Sequence, residues 1–318
     1  MNTILEKMDS GLWNAIEKSG FKHIDYEHLL ATDPARIRLE EDKVSAVEKT
    51  MKIPEKIVVE NKWIPSSDPS VSIRVRIYRP KDQKHLPLCL YFHGGSFIYG
   101  TPEQYDFLFF RLVSEVNMLI ISVDYRLAPK HPFPAAIKDG YDVLLWTSRY
   151  AATIGGDNKN IMIGGSSAGA TIAASITQWA RDRKEIAIQH QYLMYPPMSN
   201  LLDTASMQEL SNAPLQTKKA AAWMWKHYLQ NTNDSLYKYA VPLLQNTFEN
   251  LPEATLIVCE LDPLKDEGIM YAEKLKNAGV SVNLIEIKGA VHTFEFFDCA
   301  LSENFYKLQI ELFKKIID

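Results

Sequence analysis

The feature that most constrains this 318-residue chain is a glycine-flanked turn between an apolar run and an alanine-rich segment. The turn reads Gly165-Ser166-Ser167-Ala168-Gly169 and fits the spacing G-x-S-x-G, with Ser167 at its centre. A serine at the tip of a compressed strand-to-helix turn leaves no room for side chains two residues to either side, which favours glycine there. A helix that begins at Ala168 directs backbone N–H groups and the positive end of its dipole toward the serine oxygen. This arrangement favours an alkoxide or a tetrahedral oxyanion.

The pattern alone is not specific, because glycine- and serine-rich turns are common. A dinucleotide-binding loop is the first alternative. It would need the spacing G-x-G-x-x-G after the first strand, and this loop has neither the spacing nor the position. The rest of the chain therefore decides what the turn does.

The composition excludes several classes of protein. The formal net charge is −4 and no basic run is present, so a nucleic-acid partner or a stable membrane association is not expected. The three cysteines, Cys89, Cys259 and Cys299, predict neither a disulfide framework nor a zinc site. The first 20 residues lack the pattern of a signal peptide, and no apolar stretch is long enough to span a bilayer. These observations predict a cytoplasmic protein without a metal.

The pattern of apolar residues predicts an α/β fold. Residues 57–59 and 71–78 are predicted to form an antiparallel edge hairpin, because the second run alternates apolar and polar residues. Continuous apolar runs follow at intervals long enough for helices, and such runs indicate a parallel sheet covered on both faces. The runs are residues 88–92, 119–123, 161–163 and 256–259.

Two helical regions lie outside this pattern. Residues 1–50 carry an apolar face at helical spacing, and a membrane-surface anchor is disfavoured because ten acidic residues outnumber seven basic ones. Packing against the body of the protein is the preferred interpretation. Residues 198–240 interrupt the sheet pattern with helical segments and an aromatic cluster, which predicts a lid or part of one. The core would then comprise residues 51–197 and 241–318.

Four further features lie at ends of predicted strands. His93-Gly94-Gly95 leaves backbone N–H groups bare, and beside the Ser167 turn it would complete an oxyanion hole with the N–H groups of Gly94, Gly95 and Ala168. Asp124, Arg126 and His131 lie near a proline-rich corner, where a bracing ion pair is the preferred role. Asp262 follows one strand and His292 follows the next.

Ser167, Asp262 and His292 occur in the order nucleophile, acid, histidine, which is the order of α/β-hydrolases. Two acids, Glu260 and Asp266, are alternatives to Asp262. Ser166 is the alternative nucleophile, although its spacing to the glycines is wrong.

The chain also resembles the hormone-sensitive-lipase-like esterases, the bacterial family IV carboxylesterases, over about residues 70–300. Four motifs carry the resemblance: His93-Gly94-Gly95, the segment 124–129 (DYRLAP), the turn 165–169 (GSSAG) and the segment 262–268 (DPLKDEG). The resemblance implies an α/β-hydrolase fold with a mostly parallel central sheet flanked by helices. It implies Ser167 as nucleophile, His292 as base and Asp262 as the acid, without a cofactor. It further implies a helical cap built from residues 1–50 and 198–240.

Three positions depart from the family pattern. Ser96 replaces a third glycine, so the acyl side of the pocket is expected to be narrower or more polar. Ser166 replaces an aspartate before the nucleophile. Thr293 replaces a glycine after the histidine, so the loop that holds His292 is expected to differ.

The function predicted from these features is a serine carboxylesterase that hydrolyses short-to-medium acyl esters through an acyl-enzyme. A lipase, an amidase and a non-catalytic binding protein of the same fold are the alternatives. The partner expected is a small-molecule ester, and a homodimer is possible.

Overall fold

The computed structural model describes residues 2–44 and 51–317. Eight strands form one sheet in the order β1-β2-β4-β3-β5-β6-β7-β8. The strands are β1 (Ile57–Pro65), β2 (Ser72–Pro80), β3 (Leu86–Phe92), β4 (Leu119–Asp124), β5 (Gly156–Ser166), β6 (His190–Met194), β7 (Glu253–Cys259) and β8 (Val282–Ile287). The helices are α1 (Asn2–Lys7), α2 (Ser10–Lys18), α3 (Tyr26–Thr32), α4 (Arg36–Val44), α5 (Asp106–Val116), α6 (Ala135–Tyr150), α7 (Ala168–Arg183), α8 (Ala205–Glu209), α9 (Lys218–Tyr228), α10 (Lys265–Asn277) and α11 (Ala300–Ile317).

The direction of the strands follows the hydrophobic pattern. β2 pairs antiparallel with both β1 and β4, and all pairs among β3 to β8 are parallel. Every residue of β6 is buried, as is nearly all of β3, β4 and β7, because helices cover both faces of the sheet. The predicted α/β-hydrolase fold is confirmed.

Two layers of apolar side chains pack on opposite faces of the sheet. One layer contains Ile137 of α6 and Ile172 and Ile176 of α7. The other contains Phe109 of α5 and Phe313 of α11. Because the side chains of a strand point alternately to the two faces of the sheet, each strand contributes to both layers. The two layers hold the sheet rigid, and the sheet supports the loops at its carboxyl edge.

The N-terminal residues divide into two parts. α1, α2 and the link between them bury Ile4, Met8, Leu12 and Ile16 in the same layer as α11, as expected of a helical segment that packs on its own protein. α3 instead packs against α9, where His227 Nε2 hydrogen-bonds to the Leu30 carbonyl at 2.7 Å. The predicted boundary at residue 50 lies outside the described residues.

The charged residues of the proline-rich corner form ion pairs with residues outside the corner. Arg126 binds Asp139 of α6, with Nη2 2.7 Å from Oδ1. Asp124 binds Arg74 of β2, with Oδ2 2.8 Å from Nε. The corner is therefore braced by partners distant in sequence, while His131 lies on a surface groove. Within residues 2–44 and 51–317, no helix has the length and hydropathy needed to cross a membrane.

Candidate active site

Ser167 lies at a sharp turn between β5 and α7, with φ 52° and ψ −126°. A β-carbon on Gly169 would lie 2.1 Å from the Phe92 carbonyl oxygen, and one on Gly165 would lie 2.4 Å from the Gly169 carbonyl carbon. Glycine is therefore required at both positions by contact with backbone, as the G-x-S-x-G spacing predicts. The Ser167 N–H donates to the Met194 carbonyl at 2.9 Å, which holds the turn on β6.

Ser167, His292 and Asp262 form one chain of hydrogen bonds, although 125 residues separate the first two. Nδ1 of His292 lies 2.6 Å from Asp262 Oδ2, and its Nε2 lies 2.8 Å from Ser167 Oγ. An ionised carboxylate only accepts, so Nδ1–H donates to Asp262 and Ser167 donates its hydroxyl proton to Nε2. Asp262 is fully buried, His292 is 4% exposed and Ser167 is 5% exposed. The second oxygen of Asp262 accepts from the Leu264 N–H at 2.9 Å.

The two alternative acids have other partners. Asp266 Oδ2 accepts from the Ser206 N–H at 2.7 Å and so ties α8 to the start of α10. Glu260 Oε2 accepts from the Gly289 N–H at 2.9 Å, in the loop that leads to His292. Each carboxylate supports an element of the site from a distance, and Asp262 is the acid that contacts the histidine.

The alternative nucleophile, Ser166, points into the core. Its hydroxyl bonds to the Tyr91 hydroxyl and lies 3.6 Å from Met194 Sδ, and the residue is fully buried. The two adjacent serines thus lie in different environments because successive side chains at the end of a strand point to opposite faces.

The His93-Gly94-Gly95 loop passes directly beside Ser167. A β-carbon on Gly94 would lie 3.5 Å from Ser167 Cβ, and Gly95 has φ 123°, which favours glycine. The Gly94 N–H donates to the Tyr105 hydroxyl at 3.3 Å. Among the hydrogen bonds of the described residues, none uses the N–H of Gly95 or of Ala168.

At two positions where the family pattern has glycine, this chain has another residue but keeps the backbone conformation that glycine favours. Ser96 has φ 55° and Thr293 has φ 57°. Both side chains therefore occupy the left-handed region, which is costly for a β-branched residue such as Thr293. The loop between β8 and α11, residues 288–299, is called the histidine loop below. It keeps the left-handed backbone that glycine would favour at position 293, and the difference is that Thr293 is strained there.

Sequence reasoning missed two buried carboxyl groups near the site. Burial raises the pKa of Glu267 to about 8, although its Oε2 accepts from the Met198 N–H at 2.8 Å and the Ser199 N–H at 2.9 Å. Burial raises the pKa of Glu295 to about 7. A sequence signal existed for the second, since Glu295 is the one charged residue in the run Phe294-Glu295-Phe296-Phe297.

Comparisons with known proteins agree with this geometry. A family model described as the alpha/beta hydrolase fold matches residues 89–296. Esterase LipI of Mycobacterium tuberculosis is 38% identical over 234 residues, which cover 71% of this chain and 72% of the relative. Ethyl acetate hydrolase of Pseudomonas putida is 32% identical over 227 residues, which cover 70% of this chain and 71% of the relative.

A solved structure of a bacterial heroin esterase superposes with a TM-score of 0.89 at 28% sequence identity, covering 99% of each chain. The similarity therefore extends from the sheet to the helices outside it. The chain belongs to the hormone-sensitive-lipase-like esterase family of the α/β-hydrolase fold, and it is a hydrolase that acts on carboxylic esters.

Proposed function

We propose that Ser167, His292 and Asp262 are a catalytic triad that hydrolyses short-to-medium acyl esters through an acyl-enzyme. The observation that carries this proposal is the hydrogen-bond chain from Ser167 Oγ through the imidazole to Asp262. Ser167 Oγ attacks the ester carbonyl while His292 Nε2 takes its proton, and Asp262 stabilises the imidazolium that forms. The imidazolium then protonates the leaving alcohol. Water, activated by the same imidazole, releases the acid from Ser167.

The oxyanion that forms during attack would bind to backbone N–H groups. Gly95 and Ala168 are the favoured donors of the three predicted, because the Gly94 N–H already donates to Tyr105. Gly94 contributes differently, since its missing side chain lets the loop approach Ser167. The loss of one oxyanion donor typically costs about a hundredfold or more in rate.

A helical cap over the site would limit the length of the acyl group. Helices α3 and α9 pack together through Leu30 and Ala220, and the Thr217 hydroxyl bonds to Glu27. The contact between α3 and α9 supports a cap to which the predicted segments 1–50 and 198–240 each contribute a helix. The Pseudomonas putida relative is an ethyl acetate hydrolase, which also favours a short acyl group here. A cytoplasmic location and a homodimer stay predictions.

Hydrolysis of p-nitrophenyl esters with two to sixteen acyl carbons tests the proposal. We expect turnover to peak at short chains, to be abolished in Ser167→Ala and to survive in the matched control Ser166→Ala. A peak at long chains would favour a lipase. Faster cleavage of matched p-nitroanilides would favour an amidase, and no turnover by the folded wild type would favour a binding protein. Activity that survives Ser167→Ala would refute the triad.

A further inference from the structure

A second buried carboxyl group lies behind His292. Glu295 is fully buried in the turn Phe294–Phe296, three residues after the histidine. One of its oxygens accepts from the Tyr195 hydroxyl, and Oε2 has no hydrogen-bond partner among the described residues. Burial of a carboxyl group costs free energy unless both of its oxygens are hydrogen-bonded or its charge is paired, so the unpartnered oxygen of Glu295 calls for an explanation.

The neighbour is the catalytic imidazole. The Tyr195 ring contacts the His292 ring edge-to-face, with centroids 4.6 Å apart and planes at 63°. The same tyrosine therefore holds the Glu295 carboxyl group with its hydroxyl and the imidazole with its ring. Tyr195 follows β6 and Glu295 follows β8, so the contact joins two loops at the carboxyl edge of the sheet.

Among the described residues that face Glu295, His292 is the one whose side chain can carry a positive charge. The facing titratable groups come from β3, β6, β7, the turn before α5, the histidine loop and α11, and they are Tyr91, Tyr105, Tyr192, Tyr195, Cys259, His292 and Tyr306. No Lys or Arg is among them. The charge on Glu295 therefore interacts chiefly with the charge on His292.

We propose that Glu295 is a positioning residue for the catalytic histidine, which acts through Tyr195 to fix the imidazole plane and, when ionised, to stabilise the imidazolium. The inference rests on the proposed function, because it requires His292 to carry a proton during ester hydrolysis. Asp262 binds Nδ1 directly, whereas Glu295 acts through Tyr195, which contacts the imidazole ring edge-to-face. Two carboxylates, Asp262 and Glu295, would thus act on the His292 imidazole from different directions.

Such coupling has a specific consequence for the pH profile. Attraction between an ionised Glu295 and the imidazolium lets His292 keep its proton to a higher pH than it would beside a neutral residue. Burial raises the pKa of Glu295 to about 7, so the charge on this carboxyl group changes within the pH range over which kcat/KM is measured. The acid limb of kcat/KM therefore depends on both groups.

The test compares pH profiles of kcat/KM for p-nitrophenyl acetate in four proteins. Glu295→Gln keeps the shape of the side chain and removes the charge, so we expect the acid limb to move to lower pH by about one unit. We also expect a severalfold lower plateau of kcat, because the imidazolium loses a stabilising charge. Tyr195→Phe keeps the ring and removes the hydroxyl donor, which makes Glu295 harder to ionise, so we expect a smaller shift in the same direction.

Tyr306→Phe is the matched control. The Tyr306 hydroxyl donates to the backbone carbonyl of Glu295 and does not bond to the carboxyl group. We expect its acid limb to coincide with that of the wild type. The double variant Tyr195→Phe with Glu295→Gln should show no greater shift than Glu295→Gln, since the hydroxyl acts through the carboxylate.

The outcomes separate this inference from the proposed function. An unshifted acid limb in an active Glu295→Gln protein would overturn the inference while leaving the triad intact. If that variant does not fold, an unshifted limb in Tyr195→Phe overturns it equally. A wild type without ester turnover would overturn the proposed function itself.

Discussion

The loops that carry Ser167 and His292 both depend on a residue in the left-handed region, but they stabilise it in different ways. Ser167 has φ 52° and Thr293, directly after His292, has φ 57°. In the serine turn, the glycines at 165 and 169 make room within five residues of sequence. In the histidine loop the nearest glycine, Gly289, lies before His292 and has its own positive φ of 69°, so residues of other elements hold the backbone at Thr293. Closely spaced glycines make room for the serine turn, which a hydrogen bond to the Met194 carbonyl also holds, whereas the longer histidine loop depends on contacts from several elements.

The external contacts of the histidine loop include residues after β7, a residue after β6 and a residue of α11. Glu260 accepts from the Gly289 N–H, and the Leu261 N–H donates to the Ala290 carbonyl at 2.9 Å. Tyr195 and Tyr306 bond to the side chain and to the backbone of Glu295. A strained residue persists only where its surroundings over-determine it, and these contacts do so here.

The largest effect is expected at the acid on which the histidine depends. Asp262→Asn should lower kcat about 10³- to 10⁴-fold, because an amide in place of the carboxylate favours the wrong tautomer of His292. Asp266→Asn is the control, since this carboxylate bonds to the Ser206 N–H. Steady-state kinetics beside circular dichroism would measure both. Near-normal kcat in Asp262→Asn would transfer the role of the acid to another residue.

A single added methyl group at Gly169 should disrupt the conformation of the serine turn. In Gly169→Ala the new β-carbon would lie 2.1 Å from the Phe92 carbonyl oxygen, which is backbone and cannot rotate away. We expect activity to fall at least about a hundredfold and the free energy of unfolding to fall by roughly 3 kcal/mol or more. Gly11→Ala is the control, because Gly11 also lies in a helix and its added β-carbon would approach side-chain atoms only, the nearest being an Asp9 carboxylate oxygen at 3.1 Å. Equal losses in both variants would contradict the steric account.

The histidine loop should make stability depend on pH. The pKa of Glu295 is raised to about 7 in the folded protein, so the folded state binds the proton more tightly than the unfolded chain. Stability from this group is complete below about pH 4 and is lost as pH rises toward 7, to a total on the order of 3 kcal/mol. Glu295→Gln should therefore flatten the decline in chemical-denaturation midpoint between pH 5 and 8. An unchanged slope would mean that Glu295 is not buried as described.

The smallest effect is expected where the histidine loop is strained. Thr293→Gly should raise the free energy of unfolding by about 0.5–1 kcal/mol, because relief of the left-handed threonine exceeds the added entropy of an unfolded glycine. Urea denaturation would measure the change. The matched variant Gly95→Ala should be destabilising, since that glycine has φ 123° and its added β-carbon would lie 2.1 Å from the Tyr99 carbonyl oxygen. Loss of stability in Thr293→Gly would show that threonine contacts outweigh the strain.

The same contrast explains what could be predicted from the sequence. The sheet and the serine turn follow from local patterns, the apolar runs and the spacing of Gly165 and Gly169. The approach of Asp262 to His292 could be expected because both follow parallel strands, which end at one edge of the sheet. The partners of the histidine loop could not be predicted, because nothing in the sequence joins Glu295 to Tyr195 across 100 residues. Pairings such as Arg126 with Asp139 are hidden for the same reason.

Covalent trapping would show whether Ser167 alone forms the acyl-enzyme. The protein would be treated with a p-nitrophenyl phosphonate, and the modified peptide identified by mass spectrometry. We expect one adduct, on Ser167, that is absent from Ser167→Ala and forms much more slowly in Asp262→Asn. An adduct on Ser166, or full ester turnover by a protein whose Ser167 stays unmodified, would contradict it.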